Sequence, residues 1–220
     1  MSIFEIIGPV MVGPSSSHTA GAARIGAIAR EFLNEEPKEL KIYFHGSFSS
    51  TYKGHGSDKA VIGGLLGFKI DDIRIKRSLE LAKELGIEFS FSRISLPDAH
   101  PNTILIEAVG INGKKISIQG ASLGGGVISI NKLNDIEVDF GGDYDTLIVE
   151  HTDVSGATAN VTNFLAARGI NIASMKVFRA SKGGKSNMII ETDGRIDDDI
   201  PEQISKIRYI QSALVISKIY

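Results

Sequence analysis

At Ile87 the hydrophobic pattern of this chain changes period, and that change limits what the chain can fold into. Before it, apolar residues recur at helical spacing. Ile25, Ile28, Ala29 and Phe32 fall at i, i+3, i+4 and i+7 and build one stripe along a helix that ends between Asn34 and Pro37. Further helices are expected from His55 to Gly67 and from Ser78 to Leu85, the second stopped by Gly86, with a short strand at Lys41–His45. After Ile87 the period becomes two, with strict alternation over Glu88–Ser92. Glu88–Ser92, Thr103–Val109, Lys115–Ile118, Val127–Asn131 and Ile136–Phe140 read as strands of a mostly antiparallel sheet.

The run Gly141-Gly142-Asp143-Tyr144-Asp145 reads as a hinge, and beyond it a new order of elements begins. Thr146–Glu150 is a strand and Ala157–Arg168 a helix with Val161, Phe164 and Leu165 on one face. Ile172–Phe178 and Ser186–Glu191 are strands joined by a hairpin at Lys182–Lys185. Asp199–Arg208 is a helix and Ser212–Lys218 a last strand. The order βαββαβ is the ferredoxin-like arrangement. The expected class is α+β, in two domains at residues 1–142 and 146–220.

Composition narrows the chemistry. None of the 220 residues is cysteine, which excludes disulfides, a thiol nucleophile and any iron–sulfur cluster held by this chain's own thiolates. A formal net charge of −2 gives no electrostatic footprint for nucleic acid or an anionic membrane. The apolar runs fall short of the roughly 18–20 residues a membrane span needs. The N-terminus lacks the basic and apolar regions of a signal peptide, so a cytoplasmic location is expected.

The densest polar stretch is Gly13-Pro14-Ser15-Ser16-Ser17-His18-Thr19-Ala20-Gly21, just ahead of the first helix. Hydroxyls and free N–H groups at a helix N-terminus suit a carboxylate or a phosphate. The plainer alternative makes Ser16 or Ser17 an ordinary cap and leaves His18 facing solvent. In Gly54-His55-Gly56-Ser57-Asp58-Lys59, His55 is unshielded by its neighbours, and Asp58 follows three residues on. It reads either as a structural histidine or as a general base whose tautomer a carboxylate sets. Gly124-Gly125-Gly126 reads as a bulge in preference to a close backbone approach. In the C-terminal domain the turn from His151 to Gly156 enters a helix whose N–H groups favour an anion. Alternatively Asp153 caps that helix and Asn171 turns the chain.

The C-terminal third, with its D-x-x-G turn and its Gly169-Ile170-Asn171-Ile172 step, resembles an ACT domain, a small module that commonly binds amino acids at paired interfaces. The resemblance implies Asp153, Gly156 and Asn171 as regulatory-ligand positions and homodimerisation through this module. The motifs G-P-S-S-S-H-T-A-G, H-G-S-F, G-H-G-S-D-K-A, H-P-N-T and G-G-G, followed by an ACT-like domain, resemble the β subunit of bacterial iron–sulfur-dependent L-serine dehydratases over essentially the whole chain. The N-terminal domain is also similar to the allosteric substrate-binding domain of some phosphoglycerate dehydrogenases.

What the dehydratase resemblance implies is an L-serine ammonia-lyase of amino-acid catabolism and gluconeogenesis, converting L-serine to pyruvate and ammonia. A [4Fe–4S] cluster, ligated by cysteines of a partner α subunit and not by this chain, would act as Lewis acid on the substrate hydroxyl. The resemblance assigns proton transfer to His55 and substrate orientation or acid/base partnership to His18. Ser15, Ser16, Ser17 and Thr19 would hold the carboxylate, with Asp58 behind His55. The rival expectations are a non-catalytic amino-acid sensor and an assembly subunit whose ACT module makes dimers.

Overall fold

Ile25, Ile28, Ala29 and Phe32 are all buried in the computed structural model, which describes residues 9–179 and 181–219. They line helix α1 (Gly21–Leu33), which ends at Asn34 in the left-handed region, φ 52°, with the Asn34 N–H donating to the Arg30 carbonyl. Asparagine takes that conformation more readily than most residues because its short side chain bonds locally. The chain divides into two compact units, Met1–Asp135 and Ile136–Tyr220.

In the first unit, strand β1 (Pro37–His45) is followed by α2 (Gly46–Thr51), α3 (Ser57–Leu65), a 3₁₀ turn (Ile73–Arg77) and α4 (Ser78–Glu84). Strands β2 (Glu88–Ile94), β3 (Thr103–Gly110), β4 (Lys115–Gly124) and β5 (Val127–Leu133) complete it, in the sheet order β2-β1-β3-β4-β5. The pairs are antiparallel except β1–β2, which run parallel with Ile42 opposite Phe91. Parallel neighbours need a crossover, and α2, α3 and α4 supply it. Ile42, Phe44, Ile104, Ile106, Ile118 and Ile130 are buried along the sheet, while α1 packs on β3, β4 and β5.

Helices α1 and α3 approach to backbone contact. A Cβ on Gly64 would collide with the Ala23 carbonyl oxygen, and one on Gly26 with the Val61 carbonyl oxygen. The α2 segment, which follows the expected strand Lys41–His45, is a short helix whose sole fully buried side chain is Phe48. Strand β4 runs on through Gly120 to Gly124, well beyond the Ile118 expected. Glycine breaks the alternation there because Ile25 and Ile130 occupy the space of a Cβ.

The second unit contains β6 (Ile136–Phe140), β7 (Asp145–Thr152), α5 (Ala157–Ala167), β8 (Ile172–Arg179), β9 (Lys185–Thr192), α6 (Ile200–Ser205) and β10 (Ile210–Ile216). A four-stranded sheet in the order β10-β7-β9-β8 carries the βαββαβ arrangement of β7 to β10. Its core joins Leu147 and Val149 of β7, Met188 and Ile190 of β9, Val161 and Leu165 of α5, and Ile200 and Ile204 of α6. Helix α6 is shorter than the expected Asp199–Arg208. Among the described residues no helix is long and apolar enough to cross a membrane.

Gly142 and Asp145, within the run read as a hinge, are bonded to the rest of the second unit. Gly142 O accepts from Ile219 N–H at 3.0 Å, and the buried Asp145 carboxylate accepts from Ile196 N–H at 2.8 Å and Lys218 N–H at 2.9 Å. Asp145→Ala orphans both donors, at about 1–3 kcal/mol for each that stays buried. The expected result is a lower urea midpoint for the second unit. An unchanged midpoint would show that water replaces the carboxylate at no cost.

Candidate active site

The hydroxyl-rich stretch ahead of α1 winds as a π-helical turn (Ser16–Ala20) rather than a loop, with the Gly21 N–H reaching back to Ser16 O. Ser15 caps it: its Oγ accepts from the His18 N–H at 3.1 Å and lies 3.4 Å from His18 Nδ1. The cap is therefore Ser15, not Ser16 or Ser17. The wider turn places His18 and Thr19 toward the loop that follows α2. His18 Nε2 lies 3.1 Å from Ser47 Oγ, and Thr19 Oγ1 donates to the His55 carbonyl at 2.9 Å. The imidazoles of His18 and His55 sit 4.7 Å apart between centroids, and Phe48 closes on His18 edge to face at 5.1 Å.

The other motifs reach the same place. Ser47 N–H donates to Pro101 O at 2.8 Å, and Gly46, at φ 56°, lets Pro101 lie against its backbone. Ser122 N–H donates to Asn102 O at 2.9 Å, and the Ser122 side chain packs on Gly21, where a Cβ would displace it. Gly124, Gly125 and Gly126 all have positive φ at the β4–β5 turn, where the register also shifts. A Cβ on Gly124 would come 3.7 Å from Ser17 Oγ, and Arg24 donates to Gly126 O at 2.9 Å. The triple glycine is thus both a bulge and a close approach. Five stretches far apart in sequence converge on the N-terminal end of α1.

One expected relationship in the first unit differs. Asp58 makes no hydrogen bond to His55. Gly56, at φ 68°, turns the chain between them, and the Asp58 carboxylate folds back on the first turn of α3 to accept from Lys59 N–H at 2.8 Å. Burial pushes the Asp58 carboxyl above the usual carboxylate range. His55 Nδ1 is buried without a hydrogen-bond partner among the described residues.

In the second unit, Asp153 does not cap α5, whose N-cap is Gly156 at φ 91°. Its carboxylate accepts from Gly183 N–H at 2.9 Å and pairs with Arg179 at 3.3 Å; the Gly183 bond, then Arg179, hold it below the usual carboxylate range. Asn171 instead bonds Asp193. Register puts Arg179 opposite Ser186 and Ile172 opposite Thr192, so Asp153 and Asn171 mark opposite ends of β8. One copy of the unit does not bring them together.

Burial lowers the pKa of His18, and the neighbouring His55 lowers it further. The folded chain therefore binds a proton at His18 less readily than the unfolded chain. The stability linked to this group is intact above the ordinary value of 6.5 and is lost as pH falls from there toward the lowered folded value. Urea denaturation between about pH 8 and about pH 5 is expected to show that loss, and His18→Asn to flatten it. Parallel pH profiles for both proteins would remove His18 as the cause.

An α+β unit with a histidine pair at a capped helix start, followed in the chain by a βαββαβ unit, is the class that fold and site define. Residues 2–132 match the family model of the serine dehydratase beta chain, and residues 146–208 match that of the ACT domain. The chain is 46% identical to the probable L-serine dehydratase, beta chain, of Bacillus subtilis (strain 168), covering 94% of this chain and 93% of that one. It is 39% identical to the L-serine dehydratase, beta chain, of Peptoniphilus asaccharolyticus, covering 92% and 90%. D-3-phosphoglycerate dehydrogenase of Bacillus subtilis (strain 168) is 25% identical over 89% of this chain but only 37% of its own length. The chain belongs to the serine dehydratase beta chain family.

Proposed function

We propose that this chain is the β subunit of an iron–sulfur L-serine dehydratase, completing an active site with a cysteine-bearing α chain. The observation that carries the reading is the meeting of His18 and His55 beside the hydroxyls that open α1. L-Serine loses its α-proton and its β-hydroxyl; the aminoacrylate so formed rearranges to an imine, which hydrolyses to pyruvate and ammonia. His55 takes the α-proton. His18, held between Ser15 and Ser47, orients the substrate. Ser15, Ser16, Ser17 and Thr19 offer hydroxyls and N–H groups to the carboxylate.

This chain's residues do not fit a cluster of their own. The sequence has no cysteine, and the described residues include no group of three His, Asp or Glu placed to hold a metal. The cluster is therefore assigned to the partner, and the roles argued for this chain are proton transfer and hydrogen bonding. For the second unit we infer a regulatory ligand bound between two copies. The opposite placement of Asp153 and Gly156 relative to Asn171 supports this, since an antiparallel pair of units joins unlike ends.

Reconstitution under anaerobic conditions tests the reading. This chain, a cysteine-bearing partner and the pair are each assayed for pyruvate from L-serine. Turnover is expected only in the pair. Serine binding without turnover in every preparation would point to a sensor instead.

A further inference from the structure

An α-amino acid brings two charged groups to its site, and the hydroxyls ahead of α1 answer only one of them. An ammonium group donates three hydrogen bonds and accepts none, so it needs an oxygen or a neutral nitrogen facing it. Several buried polar atoms of the first unit lack a partner among the described residues, namely His55 Nδ1, Ser57 Oγ, Ser122 Oγ and Asn102 Oδ1. The two hydroxyls can either donate or accept and so do not by themselves call for a donor, and His55 is already assigned the α-proton. Asn102 Oδ1 is different, being an acceptor only. A buried carbonyl oxygen without a donor is uncommon in a folded protein, and a donor that arrives with a ligand accounts for it.

The place of Asn102 connects it to the histidine pair. The preceding residue, Pro101, accepts from the N–H of Ser47, whose hydroxyl lies 3.1 Å from His18 Nε2. On the other side the Asn102 carbonyl accepts from Ser122 N–H, and Ser122 packs on Gly21, the first residue of α1. The Asn102 N–H donates to His100 Nδ1 at 3.1 Å, which fixes the backbone of the segment. Asn102 is thus strung between the two elements that flank the His18 turn.

We propose that Asn102 Oδ1 accepts a hydrogen bond from the α-ammonium group of the amino-acid substrate. It thereby selects α-amino acids over hydroxy acids that lack the amine. The assignment rests on the dehydratase reading and adds to it the group that recognises the nitrogen. A site built to pair a charged donor discriminates strongly against an analogue without one, because its acceptor is then left buried and unmatched.

The test uses the reconstituted two-chain enzyme and two ligands, L-serine and β-hydroxypropionate, which is serine without its amine. Asn102→Ala is expected to raise KM for L-serine by about 10- to 100-fold while leaving the inhibition constant of β-hydroxypropionate within about twofold. Asn102→Asp, which keeps an acceptor oxygen, is expected to recover most of the serine affinity. Equal weakening of both ligands would mean a structural role and overturn the proposal, as would an unchanged KM. Calorimetric binding of the same ligands needs no turnover. A pair that binds serine through Asn102 but never releases pyruvate sinks the dehydratase reading alone, and a pair that binds neither ligand overturns both.

Discussion

Turnover of L-serine by the proposed two-chain enzyme is expected to fall by about 10²- to 10⁴-fold when His55 is replaced by alanine. The loss should be chemical rather than structural, because the backbone of this residue is held independently of its ring. Its N–H donates to Thr51 O at 3.0 Å, and its carbonyl accepts from Thr19 Oγ1. His18→Ala removes the contacts with Ser47 and Phe48 but leaves His55, the proposed proton acceptor, in place, so it should cost less than His55→Ala. Single-turnover assays of both variants decide between them. The reverse order would move the base to His18, and near-normal turnover of His55→Ala would end the base assignment.

A large loss of stability is expected from one added methyl group, at Gly64. A Cβ there meets the Ala23 carbonyl oxygen and lies 2.7 Å from the Ala27 nitrogen, both backbone atoms that no rotamer change can move aside. Overpacking commonly costs about 1–3 kcal/mol; a clash between two helix backbones falls at or above the top of that range. A cost of about 3 kcal/mol is a large share of the about 5–15 kcal/mol that holds a typical domain. The urea midpoint of Gly64→Ala should drop accordingly. Gly54→Ala, whose new Cβ would meet nothing nearer than Thr51 O at 3.7 Å, should change stability by less than about 1 kcal/mol. Because α1 and α3 carry the two histidines at their N-terminal ends, Gly64→Ala should also lower activity in the protein that remains folded. Similar midpoints for the two variants would mean that the helices part without cost.

The elements that could be read from the sequence are those with a long repeat of apolar residues. The stripe of α1 and the alternation of β3 each report a face that the core buries, and burial selects the same period that the backbone imposes. Helix α2 was hidden because six residues with one buried side chain show no period. The parallel β1–β2 pair was hidden because alternation says which face a strand buries and not which neighbour it takes. In the site, His18, His55 and the serines stood out by residue type and spacing. The position of Asp58 depended on the left-handed turn at Gly56, which nothing in residue spacing foretells. Ser47, Ser122 and Asn102 lay within or beside quoted motifs, yet their roles depend on packing between segments some tens of residues apart.

The turn that carries His18 is one residue wider than an ordinary helical turn, with Ala20 N–H reaching Ser15 O and Gly21 N–H reaching Ser16 O. Such widened turns arise when a helix takes in one extra residue. Deleting a residue from the Ser15–Ser17 run would shift the residues ahead of His18 by about 100° around the helix axis, and the Ser15 cap on the His18 N–H would be lost. The buried stripe of α1 lies downstream, but Thr19 and Ala20 of the turn are buried as well, so the turn is part of the core that it adjoins. The setting of the histidine pair thus hangs on the width of one turn.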